Sequence, residues 1–335
     1  CTQILAEHGA EVIKLEAPEG DVTRQIPPAR HAGMSAIFLL ANRGKRSIVL
    51  DLKQPAGRAA ALKIAAQSDV LIYNVRPAAM QRLGLAYEDV KAVNPRIIYV
   101  GAYGYGQAGP YAARPAYDDL IQAACGLASL PQRVNGAEPR YVPAAIVDRS
   151  VALAAVNAVT TALFHRERTG QGQAVEVPML ETMVHQLFGE HLCGHAFEPP
   201  LSSPGYARVL AADRRPYQTK DGYIGALVYT NKQWSAFLAK IDRRDLLTDE
   251  RFKDMQSRAR NIGDVYGFLA EVLATRTTAE WLTFFESVDT PAMELRTLEG
   301  VLDDPHLQAV NFFQLADHPS EGKIVNMKLP NKLSR

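Results

Sequence analysis

The feature that most limits the fold of this chain is an alternation of short β-branched runs with helix-length segments. Across residues 1–168, apolar runs at 11–16, 46–52, 69–74 and 96–103 are separated by stretches with the length and composition of helices. Strands that alternate with helices are typical of parallel sheets, because a parallel crossover needs a helix-length connection. The pattern therefore predicts an α/β fold with a doubly wound parallel sheet.

In such sheets, ligands bind beyond the carboxyl ends of the strands. The predicted strands place residues 50–53, 74–76 and 102–106 at that edge. Residues 104–109 also spell G-x-G-x-x-G, the pattern of a dinucleotide fingerprint. Prolines follow these glycines, however, where the fingerprint needs a helix that opens directly from the turn. The sequence therefore argues against NAD binding at this edge.

A single acid, Asp148, stands between an apolar run at 144–147 and an Ala- and Val-rich segment at 150–164 with the length of a helix. The segment ends in a basic cluster at 165–168 and Gly170, which suit a helix C-terminus. One interpretation makes Asp148 the N-cap of this helix, a common role for Asp. The other makes it a working carboxylate, kept ionised by the helix dipole in an apolar pocket. The local pattern favours the cap.

Composition limits the partners. With 37 Lys and Arg against 36 Asp and Glu, the net charge of +1 gives no reason to expect nucleic acid or an anionic membrane.

Three cysteines form no disulfide or zinc pattern, which fits a reducing, cytoplasmic location. The spacing of His191, Cys193 and His195 matches no usual metal site, so no metal is expected. No apolar run approaches the ~20 residues of a membrane span, and the chain starts inside an apparent helix, as if incomplete.

A length of 335 residues allows two domains. The stretch at 197–215 is dense in Pro, Ser and Gly and predicts a linker after a first unit at 1–196. In the second unit, an Asp-Gly turn within 217–229 predicts a hairpin. An aromatic stripe on the helices that follow predicts core residues, namely Trp234, Phe237, Trp281, Phe284 and Phe285.

Several phrases stand in order along the chain. They are KRSIVLDLKQPAG at 45–57, DVLIYNVRPAAMQRLGL at 69–85, NPRIIYVGAYGYGQAGPYAARPAYDD at 94–119 and TGQGQAVEVPMLE at 169–181, with TKDGYI, AEW and DDPHL later. Together they resemble the class III coenzyme A transferases, of the formyl-CoA and carnitine-CoA transferase type. Each phrase alone is weak, but the ordered set over nearly the whole chain is specific.

The resemblance implies an architecture that composition does not reveal. A large Rossmann-like CoA-binding domain would be built from both chain ends, beginning with residues 1–196. A smaller α/β domain at 216–296 would be inserted late, and residues 297–335 would return toward the large domain. Two subunits of such a protein form a homodimer of interlinked rings.

The resemblance also implies a reaction. The nucleophile of the family is an Asp just before the helix that precedes TGxGQ, and Asp148 has that position. The chain would then be an acyl-CoA:carboxylate CoA-transferase that works through an aspartyl-CoA thioester. An acyl-CoA donor and a small carboxylic acid acceptor would be its partners, and CoA would be a substrate rather than a bound cofactor.

The resemblance further implies a set of ligand contacts. They are Leu50, Lys53, Asn74, Val75, Arg76 and Arg82 for CoA, and Tyr117 and Asp118 beside the nucleophile. Arg and Lys suit the phosphates of CoA, Arg by its bidentate fork. Without the resemblance, the apolar residues Leu50 and Val75 would be interpreted equally well as strand core. The cations Lys53, Arg76 and Arg82 would be interpreted as solvated surface charges.

Departures from the family pattern leave alternatives open. Ala17 stands where formyl-CoA transferase has an Arg that contacts CoA, although Arg24 is close in sequence, and the glycine-rich loop of that enzyme has no counterpart. The same family includes 2-methylacyl-CoA racemases, which use a His base where this chain has Tyr117. A Tyr with a pKa of about 10 is a poor base at neutral pH, which favours the transferase. A catalytically silent CoA-binding protein is a third alternative.

Overall fold

The computed structural model describes residues 1–332 and 334. The chain forms two compact units. Unit 1 contains residues 1–128, 140–187 and the chain from 309 onward, and unit 2 contains 129–139 and 188–308. The stretch at 197–215 therefore lies within unit 2. The domain boundaries inferred from the sequence and the family resemblance stay predictions.

Short strands and helices alternate along much of the described chain. In chain order, the strands are β1 (Val12–Glu16), β2 (Lys45–Val49), β3 (Val70–Tyr73), β4 (Ile98–Tyr103), β5 (Gln173–Pro178), β6 (Tyr217–Gln218), β7 (Tyr223–Ala226), β8 (Ala292–Glu294), β9 (Phe313–His318) and β10 (Gly322–Met327). The α-helices are α1 (Thr2–Glu7), α2 (Ala36–Ala41), α3 (Pro55–Ala66), α4 (Pro77–Arg82), α5 (Tyr87–Val93), α6 (Asp118–Ala124), α7 (Leu130–Asn135), α8 (Ile146–Thr169), α9 (Met179–His191), α10 (Asn231–Lys240), α11 (Met255–Arg260), α12 (Ile262–Leu273), α13 (Thr278–Glu286), α14 (Leu298–Leu302) and α15 (Pro305–Ala309).

Unit 1 is organised on parallel strands. β3, β4 and β5 form one sheet in that order, in which Ile98 of β4 pairs with Val70 on one side and Gln173 on the other. β1 and β2 form a second parallel ladder, and β9 and β10 an antiparallel hairpin. The predicted α/β class with parallel strands is confirmed. A single doubly wound, Rossmann-like sheet stays a prediction, because hydrogen bonds do not join the two parallel ladders in the described chain.

Strand β4 is covered on both faces. Ile98 and Val100 are completely buried in a cluster with α6 and α8, whereas Tyr99 joins a second cluster with α3 and α5. Since successive strand residues point to opposite faces, helices must lie on both sides of this strand. The carboxyl end of β4 is therefore held firmly, and the segment that follows it leads toward α6.

Helix α8 carries the stretch around Asp148. Its buried residues Val147, Val151, Ala155 and Val159 recur every four positions, as expected for a stripe that faces a sheet. It ends before Gly170, whose φ of 74° is the left-handed cap predicted from the sequence.

By length and composition α8 is apolar enough to cross a membrane, which corrects the expectation that no segment approaches a span. Part of the helix is nevertheless packed inside unit 1, as the core helix of a folded domain would be. The cytoplasmic location inferred from three free cysteines stays a prediction.

Unit 2 has the hairpin and aromatic core that its sequence predicts. β6 and β7 are antiparallel, with Tyr217 opposite Ile224, and β8 extends this sheet. The predicted aromatic stripe is buried, at 0–5 % exposure for Trp234, Phe237, Trp281, Phe284 and Phe285. Capping boxes begin α10 and α13, where the side chains of Thr230 and Thr277 accept the N–H three residues later.

Candidate active site

Asp148 is the third residue of α8. Its backbone N–H donates to Oδ1 of Asp118 at 2.9 Å. The first amides of a helix have no partner within the helix, so a carboxylate that accepts from one of them stabilises the helix start. The interpretation of Asp148 as the N-cap is therefore wrong. The helix begins two residues earlier, at Ile146, and the carboxylate that bonds to its first turn comes from Asp118 of α6.

Gln122, one turn after Asp118 in α6, holds this arrangement in place. Its side chain is completely buried, and Nε2 donates to Oδ2 of Asp118 at 2.7 Å. Its Oε1 accepts the N–H of Val142 at 2.9 Å, which ties the loop before α8 to α6. Both oxygens of Asp118 are thus occupied. Sequence reasoning missed Gln122, and its i, i+4 spacing from Asp118 was the one available signal.

The carboxylate of Asp148 is in a different state from that of Asp118. No residue in the described chain donates a hydrogen bond to it or forms an ion pair with it. Desolvation by the surrounding chain, and then the negative charge of Asp118, raise the pKa of Asp148, while Arg149 opposes the rise. Its oxygens are therefore free to attack a substrate or accept a proton.

The apolar pocket expected around Asp148 is not closed in the single chain. Asp148 itself reaches solvent. Large apolar side chains close to it or to Asp118 in sequence are exposed by 37–76 %, namely Tyr117, Leu120, Tyr141, Val142 and Ile146. Exposed apolar surface of this kind is characteristic of interaction and ligand sites. These apolar side chains are therefore left uncovered by the chain that is described.

The glycine-rich stretch at 104–109 determines where the segment before α6 lies. A Cβ on Gly104 would stand 2.3 Å from the Cβ of Ala116, so only a glycine permits this approach. Ala116 is followed directly by Tyr117 and Asp118. The close packing at Gly104 therefore helps to position Asp118, which accepts the N–H of Asp148.

The amides of the same stretch bind carboxylates. The N–H of Gly106 donates to Glu181 at 2.9 Å, and the N–H of Gln107 donates to Glu176 at 2.7 Å. The next helix begins only at Asp118. Since a dinucleotide fingerprint needs free amides at the start of a helix, this geometry does not offer a phosphate site.

A groove of about 780 Å³ lies between the start of α3 and the end of α4, and we call it the α3–α4 groove. Three cations line it, Lys53, Arg58 and Arg82, together with apolar side chains that include Leu62 and Leu83. None of the described lining residues is acidic. Cations beside apolar surface suit an anion that carries an apolar group.

The predicted CoA contacts are divided by the structure. Lys53 and Arg82 both line the α3–α4 groove, whereas the remaining ones do not. Leu50 packs beside the core cluster of α3 and α5. Asn74 and Val75 are exposed in the turn after β3.

Arg76, another predicted CoA contact that does not line the groove, stands at the start of α4. Its Nη1 donates to the carbonyl of Ala113 at 3.1 Å. This bond ties the end of β3 to the segment that leads to Tyr117 and Asp118. Asp118 accepts the N–H of Asp148, and neither of the two residues lines the groove. Roles in CoA binding for the residues outside the groove stay predictions.

Arg24 does not take the place of the Arg that is missing at Ala17. Its Nε and Nη2 donate to the carboxylate of Glu16 at 2.7 and 2.8 Å, and its guanidinium lies 3.7 Å from the ring centre of Phe38. Glu16 is buried and also accepts from Ser47 at 2.7 Å. The Arg24 hydrogen bond is the main reason why the pKa of Glu16 falls to about 2. Arg24 therefore belongs to a structural ion pair.

The residues of the H-x-C-x-H sequence make backbone contacts. Nδ1 of His191 accepts the N–H of Tyr206 at 3.2 Å, and Nδ1 of His195 donates to the carbonyl of Ser202 at 2.7 Å. In the part of the chain that the structure describes, no group of three or more His, Cys, Asp or Glu side chains is placed to hold a metal ion. The two histidines serve the packing of the loop that follows α9.

These features define an enzyme class once they are set beside known proteins. The sequence model of CoA-transferase family III matches residues 1–335. The chain is 33% identical to the "Probable fatty acyl-CoA transferase Rv3272" of Mycobacterium tuberculosis, over 90% of this chain and 80% of that protein. It is 30% identical to the human succinyl-CoA:glutarate CoA-transferase, over 96% and 74%. The chain belongs to CoA-transferase family III, which confirms the resemblance seen in its sequence.

Solved structures of proteins in this family are also similar to the structure of this chain. The crystal structure of Rv3272 superposes with a TM-score of 0.84 at 30% identity, and the match covers 99% of this chain and 88% of that one. A CAIB/BAIF family protein from Brucella suis gives a TM-score of 0.79 at 30% identity, over 99% and 87%. The mixed α/β architecture is therefore shared with this family, whose members use CoA thioesters as substrates.

Proposed function

We propose that this enzyme transfers CoA from an acyl-CoA to a small carboxylic acid and that Asp148 is its nucleophile. The observation that carries the proposal is the state of the Asp148 carboxylate. No described residue binds it, and both its surroundings and Asp118 raise its pKa. Relatives named for the exchange of CoA between succinyl-CoA and glutarate, and between acetyl-CoA and oxalate, support a carboxylic acid as the acceptor.

The first half of the reaction charges the enzyme with CoA. An oxygen of Asp148 attacks the thioester carbonyl of the donor, CoA leaves as its thiolate, and a mixed anhydride forms. The thiolate then attacks the carbonyl of Asp148, so the donor acid leaves as a carboxylate and an aspartyl-CoA thioester remains. Covalent catalysis of this kind divides one difficult exchange into easier steps.

The second half reverses these events with the acceptor. Its carboxylate attacks the aspartyl thioester and releases the thiolate, which then attacks the acceptor carbonyl of the new anhydride. The products are acceptor-CoA and free Asp148. Asp118 and Gln122 hold the start of α8, so the nucleophile keeps its position through all four steps. The helix dipole favours the carboxylate form that each cycle regenerates.

The α3–α4 groove is the proposed place of the CoA phosphates. Lys53 and Arg82 supply positive charge there. The groove also includes Gln54 and Pro55, where α3 begins, and no side chain caps that helix start. A free helix N-terminus attracts phosphate. Leu50, Asn74, Val75 and Arg76 are assigned to the remainder of CoA on the family resemblance alone.

A homodimer is part of the proposal because the nucleophile needs cover. Water would hydrolyse the anhydride, yet Asp148 and the apolar residues around it are exposed in one chain. On α8, Leu153 and Phe164 are also more than 60% exposed. A second copy of the chain on this surface would bury them and exclude water. Light scattering of the purified protein should therefore give the mass of a dimer.

Trapping of the covalent intermediate tests the proposed function. The protein is incubated with a panel of acyl-CoA esters and then with hydroxylamine or borohydride, and the modified peptide is identified by mass spectrometry. The expected result is modification of Asp148 and of no other carboxylate. Asp119, an exposed acid one residue after Asp118, serves as the internal control.

Three outcomes would contradict the proposal. No adduct with any member of the panel, or an adduct elsewhere than on Asp148, would remove the assigned nucleophile. Exchange of the α-hydrogen of an acyl-CoA with deuterated water, without transfer of CoA between acids, would instead show the racemase chemistry found in the same family.

A further inference from the structure

We propose that Arg58 binds a phosphate of CoA in the α3–α4 groove and that Gly84 is the residue that positions it. The inference rests on the proposed function, because it takes CoA as the occupant of this groove. It adds to that proposal a contact residue which no pattern in the sequence indicated. Two observations carry it, the lack of a partner for Arg58 and its packing against Gly84.

The cations of the groove differ from Arg24 and Arg166, two other arginines of unit 1. Arg24 pairs with Glu16 at 2.7 Å, and Arg166 pairs with Asp69 at 2.8 Å. In the described chain, the guanidinium of Arg58 has no carboxylate or hydrogen-bond partner, although it lines a groove with two further cations. Three unpaired positive charges repel one another. An arrangement of this kind is stabilised when an anion binds between them.

Gly84 gives Arg58 its position. A Cβ on Gly84 would stand 2.4 Å from Cζ of Arg58 and 2.6 Å from Nε, so the guanidinium occupies the space of the absent side chain. Gly84 also has a φ of +62°, a conformation that other residues adopt only with strain. Since the guanidinium rests against the chain, less rotamer entropy is lost when it binds a ligand.

The chemistry of the groove selects the ligand. A guanidinium presents a fork of N–H donors that matches two oxygens of one phosphate. CoA carries phosphate at two places, a diphosphate bridge and a ribose 3′-monophosphate, next to adenine, whose flat aromatic faces can pack on apolar side chains. The lining joins Lys53, Arg58 and Arg82 with apolar surface from Leu62 and Leu83. Both parts of the CoA nucleotide therefore find a complementary surface.

Substitution of Arg58 by Gln tests the contact by calorimetric titration with CoA. We expect Arg58→Gln to weaken CoA binding about tenfold, the usual worth of one charge-assisted hydrogen bond. Arg58→Lys should recover part of the loss. Lys63→Gln is the matched control, because Lys63 is an exposed cation of the same helix that does not line the groove. It should leave the affinity within about twofold, since surface charges act weakly at a distance.

A set of truncated ligands locates the contact. In the transfer assay, Arg58→Gln should raise KM for acyl-CoA and leave KM for the corresponding acyl-pantetheine, which has no phosphate, unchanged. If acyl-dephospho-CoA shows the same loss as acyl-CoA, Arg58 contacts the diphosphate. If it shows no loss, Arg58 contacts the 3′-phosphate.

Gly84→Ala tests the positioning role. The new methyl group would displace the guanidinium of Arg58, so the variant should lose CoA affinity by a similar factor while Arg58 is still present. Gly136→Ala is the control, because Gly136 has a φ of +74° with open space around its missing Cβ. It carries the same backbone strain without displacing an arginine, and it should bind CoA as the wild type does.

The results separate this inference from the function on which it rests. Equal losses for acyl-CoA and acyl-pantetheine in Arg58→Gln, or unchanged CoA affinity in that variant, would overturn the role of Arg58. Wild-type protein that binds CoA but transfers none would contradict the proposed reaction and leave the binding test intact. Wild-type protein that does not bind CoA would refute both.

Discussion

Unit 1 contains two carboxylates that the fold treats in opposite ways, Glu16 and Asp148. Glu16 is buried at the end of β1, where Arg24 donates a hydrogen bond to each of its oxygens and Ser47 donates a further one. Its pKa falls to about 2 as a result. Asp148 has no donor from the described chain, and desolvation together with Asp118 raises its pKa.

The comparison separates a structural acid from a reactive one. Hydrogen bonds to a carboxylate favour its charged form and also hold its electron pairs, so a satisfied carboxylate is a poor nucleophile. A carboxylate that lacks such bonds is less stable as an anion and keeps its oxygens available. The two acids should therefore respond to mutation in opposite ways, one through stability and the other through activity.

The largest effect is expected at the nucleophile. Asp148→Asn should lower CoA transfer by at least about a thousandfold, because no covalent intermediate can form. Its free energy of unfolding should not fall, since the substitution removes a charge that the fold disfavours. Steady-state kinetics and urea denaturation of the same preparation measure both quantities. A variant that keeps a tenth of the wild-type rate would show that Asp148 is not the nucleophile.

Glu16→Gln should give the reverse result. Removal of one partner from a buried ion pair costs about 3 kcal/mol, because Arg24 keeps its charge without a counter-ion. Urea denaturation should therefore show a clear loss of stability, while kcat per folded molecule stays close to that of the wild type. Loss of turnover in well-folded Glu16→Gln protein would mean that this ion pair takes part in the reaction. A stability change below ~0.5 kcal/mol would contradict its structural role.

The structural role of Glu16 should also be visible in the way the free energy of unfolding depends on pH. The pKa of Glu16 is about 2 in the folded protein against 4.5 ordinarily, so its contribution to stability is present above pH 4.5 and is lost as the pH falls toward 2. The unfolding free energy of the wild type should fall across this interval more steeply than that of Glu16→Gln. Parallel curves for the two proteins, measured by denaturation at several pH values, would contradict the assigned pKa.

The smallest effect concerns the charge of Asp118. Because Asp148 acts as an anion and its pKa is raised, the acid limb of kcat/KM should lie above the ordinary Asp range. Asp118→Asn keeps an oxygen that can accept the N–H of Asp148 but removes the negative charge, so this limb should move to lower pH. A limb that stays in place would show that Asp118 does not influence the titration of Asp148.

Asp118→Ala is the companion variant. It removes the helix-capping oxygen as well as the charge, so it should also lose about 1 kcal/mol of stability. Equal stability of the Asn and Ala variants, measured by urea denaturation, would contradict the contribution of the Asp118 hydrogen bond to the start of α8.

Local patterns predicted much of this fold. The strand at β4, the end of α8 at Gly170, the hairpin of β6 and β7 and the buried aromatic stripe depend on residues close together in sequence. The start of α8 was predicted too late, because Asp148 looked like a cap. The oxygen that does accept from its first turn belongs to a residue 30 positions earlier, which no local rule can identify.

The sequence by itself determined the α/β class, the enzyme family and Asp148 as a candidate, because periodicity and ordered motifs are carried by the chain. The tertiary structure decided which charged residues form an ion pair within the protein and which have no partner in the described chain. Arg24 and Arg58 are the same residue type in the same unit, yet one is held by Glu16 and the other rests unpaired against Gly84. The reason is physical, since the state of a charge depends on partners that only folding brings within a few ångströms.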